Sequence, residues 1–120
     1  MSKILVIEDD INIRKFIATN LAIRGYEVIE AANATDGLSK LRDASPAILL
    51  LDIKLPDMSG WDLLRIMASD EKISGIPVVV ITASAGNMPP GPEVYENLRR
   101  VLIKPVSAQE LTAVVKESLV

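Results

Sequence analysis

Four apolar runs in this chain end on residue types that a single reaction could use together. Ile4-Leu-Val-Ile7 runs into Glu8-Asp9-Asp10. Ala47-Ile-Leu-Leu-Leu51 runs straight into Asp52, with Pro46 before it and Pro56 after it. Pro77-Val-Val-Val-Ile81 ends at Thr82, and Val101-Leu-Ile103 ends at Lys104-Pro105. Converging carboxylates at Glu8, Asp9 and Asp52 would carry about −3, and their repulsion must be relieved by bound protons or by a divalent cation. Mg²⁺ is typically held by a few carboxylates together with waters and phosphate oxygens. A carboxylate is also an established covalent acceptor in phosphoryl transfer. Lys104 would add one positive charge, and the Thr82 hydroxyl can donate to a phosphoryl oxygen. The set points to an acidic, metal-dependent phosphoryl site, where catalysis is mostly positioning and charge neutralisation.

Taken singly, each residue has an ordinary explanation. Glu8-Asp9-Asp10 would favour a following helix N-terminus, with Asp10 or Asn12 as N-cap. An aspartate after a strand is often a turn residue. A threonine at a strand end and a lysine before proline are individually uninformative. Together they form a coincidence that no single explanation covers: four strand ends each carry a residue type that the same reaction needs.

For these ends to meet, the runs must be neighbouring parallel strands. The stretch 47–52 reads as a strand buried on both faces. Lys3–Ile7 reads as the first strand, followed by a helix to about Arg24 with Ile13, Phe16, Ile17 and Leu21 inward and Gly25 as its stop. Tyr26–Ala31 is the second strand. A second helix spans Ala34 to about Arg42, on Ala34, Leu38 and Leu41. Lys54–Gly60 is a loop, and Ser59-x-x-Asp62 is a capping-box start for a third helix with Leu63, Leu64 and Met67 inward. The fourth strand is Pro77–Ile81. Gly86, Pro89, Pro90 and Gly91 rule out a regular helix over 83–91. A short helix can start at Pro92, with Val94, Leu98 and Val101 inward and Arg99-Arg100 in its last turn. Val101–Ile103 is the fifth strand. Ser107-x-x-Glu110 opens a last amphipathic helix on Leu111, Val114, Val115 and Leu119. Strands alternating with helices predict an α/β fold, a (βα)5 doubly wound parallel sheet of order 2-1-3-4-5. Its switch point would set Glu8, Asp9 and Asp52 at one crevice.

Composition narrows the chemistry further. A chain of 120 residues, 49% apolar and 24% charged, fits one domain with a sizeable core. No apolar run is long enough to span a membrane, and the N-terminus does not read as a signal peptide. With no cysteine and no histidine, thiolate sites, disulfides and an internal imidazole base are excluded. Carboxylate, hydroxyl and amine remain, which suit a hard cation. A net charge of −3 argues against direct nucleic-acid binding. A cytoplasmic setting is expected.

The motif set resembles the receiver (phosphoacceptor) domain of two-component response regulators, a flavodoxin-like family, across essentially all of 1–120. The resemblance lies in Ile-Leu-Val-Ile-Glu8-Asp9-Asp10, Leu-Leu-Leu-Asp52-Ile-Lys-Leu-Pro56-Asp-Met-Ser-Gly60, Thr82-Ala83 and Lys104-Pro105. It implies that Asp52 accepts a phosphoryl group from a phosphohistidine on a sensor histidine kinase or histidine phosphotransfer protein. It implies that Glu8, Asp9, Asp52 and the backbone carbonyl of Lys54 hold Mg²⁺, with Asp10 outside the ligand set. Thr82 and Lys104 would contact the phosphoryl group and relay its presence to an output domain or target protein, and the Lys104–Pro105 bond would be cis. Such a domain is a switch rather than a multiple-turnover enzyme, although it assists its own phosphorylation and dephosphorylation.

Three departures from the family pattern stand out. Val101 occupies the position, three residues before the lysine, where the family usually has Tyr or Phe, so the usual aromatic switch cannot operate. Pro89, Pro90 and Pro92 make the fourth helix short and displaced, on a face through which many relatives form a homodimer or bind targets. Lys54 and Ser84 lie two residues beyond Asp52 and Thr82, where the family tunes phosphoryl lifetime, and Lys54 is expected to shield the bond. The alternative is a pseudo-receiver, an interaction module that is never phosphorylated; the intact acids, Thr82 and Lys104 argue against it. An aspartyl-phosphate hydrolase would place Asp-x-Asp after the first strand. A flavodoxin-type flavin site would need a phosphate-binding loop where this chain has three acids. No G-x-G-x-x-G or P-loop is present.

Overall fold

The computed structural model describes residues 2–83 and 95–119. In chain order these form β1 (Lys3–Ile7), α1 (Ile11–Ile23), β2 (Glu27–Ala31), α2 (Ala34–Ala44), β3 (Ile48–Asp52), α3 (Gly60–Ala68), β4 (Val78–Thr82), β5 (Leu98–Ile103) and α4 (Ala108–Ser118). The five strands make one parallel sheet in the order β2-β1-β3-β4-β5. This is the architecture expected from the alternation of apolar runs and helical periodicities.

Side-chain alternation divides the core into two layers. On one face Leu5, Ile7, Leu49, Leu51, Val78 and Val80 pack with Leu41 of α2 and Leu63, Leu64 and Met67 of α3. On the other, Ile4, Val6, Ile48, Leu50, Val79 and Ile81 pack with Ile17 and Leu21 of α1 and Leu111, Val114 and Val115 of α4. Every residue of β3 and β4 is buried, because both strands have a helical layer on each side. Local signals stop and start the helices as expected. Asp10 accepts from the N–H groups of Asn12 and Ile13 at the head of α1, and Gly25, at φ +95°, follows its end. Ser59 and Asp62 form a reciprocal capping box on α3, and Ser107 caps α4 through the Glu110 N–H.

Two expectations are corrected. Phe16 is not inward but 43% exposed. The buried stripe of α1 runs along Ile17, Ala18 and Leu21, and Phe16 lies a third of a turn to its side. Leu98–Arg100 is not the end of a helix but the start of β5. The Val78 N–H donates to the Asn97 carbonyl at 2.8 Å, and the buried Asn97 side chain donates to the Ile76 carbonyl at 3.0 Å. These long-range bonds recruit the segment into the sheet, with a register shift between Val78 and Val79. The expected start of the short fourth helix, and with it Ser84 and Pro89–Pro92, lies outside the described residues.

Candidate functional site

Parallel strands in this order bring the four sequence-marked ends to one edge. Ile7 pairs with Leu51, Asp52 with Ile81 and Thr82 with Ile103. Glu8, Asp52, Thr82 and Lys104 therefore emerge from adjacent strands. A bond from the Lys104 N–H to the Thr82 carbonyl, at 2.8 Å, closes the edge. The crevice opens between β1 and β3, where the strand order reverses, the place where doubly wound sheets bind ligands.

At that crevice one carboxylate oxygen from each of Glu8, Asp9 and Asp52 lies within 4.8 Å of the others. Glu8 and Asp52 are buried and Asp9 is exposed. The Lys104 Nζ donates to Glu8 Oε1 at 2.7 Å and stands 3.4 Å from Asp52 Oδ2. The other Glu8 oxygen accepts from the Asp10 N–H at 3.2 Å. Burial pushes the Glu8 carboxyl up, and Asp52 pushes the same way against the pull of Lys104. Burial lowers the tendency of Lys104 to carry charge, but Glu8 and Asp52 outweigh it and hold the ammonium above its ordinary pKa. The donor set is all oxygen, anionic and only partly neutralised by one ammonium, which fits a hard divalent cation. The cleft above it, about 540 Å³, is also walled by Thr82 and the exposed Lys54.

Asp10, by contrast, is committed to capping α1 and stands outside the cluster. The Lys104–Pro105 bond is cis, as the resemblance implied. Gly60 sits where only hydrogen fits. A Cβ there would come within 2.7 Å of the Asp52 carbonyl oxygen and 2.9 Å of the Ile53 Cα. That close approach lets the Gly60 N–H reach the Ile53 carbonyl at 2.7 Å and closes the loop behind Asp52.

Two supporting residues were not legible in the sequence. Arg14 Nη1 donates to the Glu8 carbonyl at 2.8 Å while its Nε pairs with Glu30 at 3.1 Å. Asp57 accepts from the Ala34 and Thr35 N–H groups at the head of α2. Both act across gaps in sequence that no local periodicity reports.

The site is an acidic crevice at the switch point of a doubly wound sheet, with a buried aspartate and a lysine facing it. A family model described as the response regulator receiver domain matches residues 4–116, and the chain belongs to that family. The chain is 36% identical over 118 residues to the phosphate regulon transcriptional regulatory protein PhoB of Pseudomonas aeruginosa, covering 97% of this chain and 51% of that protein. It is 29% identical to the DNA-binding response regulator MtrA of Mycolicibacterium paratuberculosis, covering 98% of this chain and 51% of that protein. The chain thus spans about half the length of these curated relatives. Among solved structures, a CheY-like receiver domain of Methanospirillum hungatei aligns with a TM-score of 0.84 and 31% identity, covering 99% of this chain and 94% of that one. The response regulator TrrA of Thermotoga maritima, crystallised in complex with Mg²⁺ and BeF, aligns with a TM-score of 0.84 and 25% identity, covering 99% and 100%.

Proposed function

We propose that this chain is a phosphorylation-dependent signalling switch with Asp52 as its phosphoacceptor, over one receiver domain spanning 1–120. The observation that carries the reading is the Asp52 carboxylate, buried at the strand end inside the three-acid cluster and 3.4 Å from the Lys104 ammonium. An Asp52 carboxylate oxygen attacks the phosphorus of a phosphohistidine. The O–P bond forms, the P–N bond breaks, and the imidazole leaves with the electron pair and takes a proton from solvent. This chain has no histidine, so the phosphohistidine lies outside it, and the proposed donor is a sensor histidine kinase or a histidine phosphotransfer protein.

Glu8, Asp9, Asp52 and the Lys54 backbone carbonyl would hold Mg²⁺, which when bound neutralises charge on the transferring phosphoryl oxygens. Lys104, already turned toward Asp52, pairs with the phosphoryl group, and Thr82 donates a hydrogen bond to it. The site is then nearly neutralised: about −2 from Glu8 and Asp9 and −2 from the phosphoryl, against about +3 from the cation and Lys104, leave about −1. Phosphorylation shifts the population toward the state in which Thr82 and Lys104 close on the group, and partners that select this state read the signal. Val101 packs beside the core on β5, so the relay runs without an aromatic at that position. The names of its relatives, a transcriptional regulatory protein and a DNA-binding response regulator, support control of an output domain or a separate target; a cytoplasmic setting is part of the proposal. Direct contact with nucleic acid or membrane by this domain is not part of the proposal; among the described residues, no helix is long and apolar enough to cross a membrane.

The test is intact mass after incubation with Mg²⁺ and acetyl phosphate. One added phosphoryl group is expected on the wild type, and none on Asp52→Asn or in EDTA. If Mg²⁺ binds but no phosphoryl appears, the cognate kinase replaces acetyl phosphate as donor. If the chain neither binds Mg²⁺ nor takes phosphoryl, the reading fails in favour of an interaction module that is never phosphorylated.

A further inference from the structure

The loop between β3 and α3 is fastened at more points than its length requires. At its base the Gly60 N–H donates to the Ile53 carbonyl at 2.7 Å, and Lys54 bridges Ser59 in antiparallel fashion. At its tip Asp57 reaches a different element. Its Oδ1 accepts from the Ala34 N–H at 2.9 Å, and its Oδ2 accepts from the Thr35 N–H at 2.8 Å and the Thr35 hydroxyl at 2.7 Å. Helix α2 already has an N-cap of its own: Asn33 accepts from the Asp36 N–H at 2.8 Å. Asp57 takes the remaining first-turn donors, which in an isolated helix would be left to water, and sets a negative charge at the positive end of the helix.

The connection closes a circuit around the crevice. The Glu8 N–H donates to the carbonyl of Ala31, which ends β2 at 3.0 Å from it. Three residues on, Ala34 begins α2 and binds Asp57. From Asp57 the chain runs back through Pro56, with its fixed φ, and Leu55 to Lys54, two residues from Asp52. The acid that ends β1 and the loop that follows the acceptor are thus held at a fixed distance through the turn between β2 and α2.

We propose that Asp57 is a positioning residue for the metal site: by tying the acceptor loop to α2, it fixes the Lys54 carbonyl relative to Glu8 and Asp52. The inference rests on the function proposed above. Supporting groups of this kind typically alter metal affinity by about 10–100-fold when removed.

The test separates loop positioning from helix stability by removing each cap of α2 in turn. Mg²⁺ binding to the full chain is measured by calorimetry well below the melting temperature, beside metal-free melting curves, for wild type, Asp57→Ala and Asn33→Ala. Both variants are expected to melt lower. Only Asp57→Ala is expected to bind Mg²⁺ more weakly, by about tenfold, while Asn33→Ala stays within about twofold of wild type. Equal Mg²⁺ affinity for wild type and Asp57→Ala overturns the proposal and leaves the phosphoacceptor reading intact. A parallel loss in both variants overturns it too, by assigning the effect to helix stability. A wild type that does not bind Mg²⁺ overturns both readings. Where Asp57→Ala does not fold, Asp57→Asn, which keeps one acceptor oxygen, takes its place with the same ordering expected.

Discussion

Asp57 and Lys54 sit three residues apart and lead to different predictions. Hydrogen bonds from the Thr35 hydroxyl and from the Ala34 and Thr35 N–H groups hold the Asp57 carboxyl at about 2, against an ordinary 3.8. A carboxyl whose pKa is lower in the folded chain stabilises it above its unfolded pKa and loses that contribution as pH falls through the folded value. The stability gap between wild type and Asp57→Ala is therefore expected to be constant at neutral pH and to narrow progressively between about pH 5 and pH 1. Urea unfolding across that range checks it, and a gap as wide at about pH 2 as at neutral pH contradicts the assignment. Lys54 is exposed at the wall of the cleft, where its proposed role is to shield the acyl phosphate from water. Lys54→Ala is expected to lose the phosphoryl group several-fold faster, on the order of 1 kcal/mol of barrier, as read by mass against time. An unchanged lifetime removes the shielding role.

At the scale of elements, the loop and cap contacts discriminate between positioning and stability. Gly60→Ala drives a methyl into the Asp52 carbonyl and the Ile53 backbone, which cannot rotate away. A cost of about 1–3 kcal/mol is expected, with phosphorylation impaired because the strain falls on the acceptor strand itself. Ser107→Ala removes the cap of α4, which accepts from the Glu110 N–H at 3.0 Å. It should cost about 1 kcal/mol and leave phosphorylation by acetyl phosphate unchanged, since no site residue lies on α4. Thermal melting beside the mass assay separates the two cases. The same reasoning explains β5: an edge strand begins at Leu98 because backbone bonds to β4 outrank a local helical pattern.

The whole molecule is a sheet with two cores, and the site depends on both. Leu50 faces α1 and α4 while its neighbours Leu49 and Leu51 face α2 and α3. Leu50→Ala should therefore cost about 2–5 kcal/mol, a large share of the roughly 5–15 kcal/mol that holds a domain of this size together. The strand-end geometry is rigid because β3, which presents Asp52, is covered on both faces. Crevice, loop and the heads of α1 and α2 then act as one unit, with Arg14 and Asp57 as its outer struts.

The alternation of strands and helices and the parallel order were legible in the chain alone, as were five candidate residues that the fold brings to one cleft. They were legible because Glu8, Asp52, Thr82 and Lys104 each follow directly on the apolar run that positions them, and Asp9 follows Glu8. Burial of that run and placement of its terminal side chain are one local fact. The caps at Asp10, Ser59 and Ser107 were legible for the same reason, since their partners lie two or three residues away. Tertiary structure alone decided which way Phe16 faces, where β5 begins, and what Arg14 and Asp57 hold. Those outcomes depend on partners brought up by the fold, 16 residues away for Arg14 and Glu30, 21 for Asn97 and Ile76, and 22 for Asp57 and Thr35. Contacts of that span leave no periodicity in the chain, because it is the packing of the sheet that creates them.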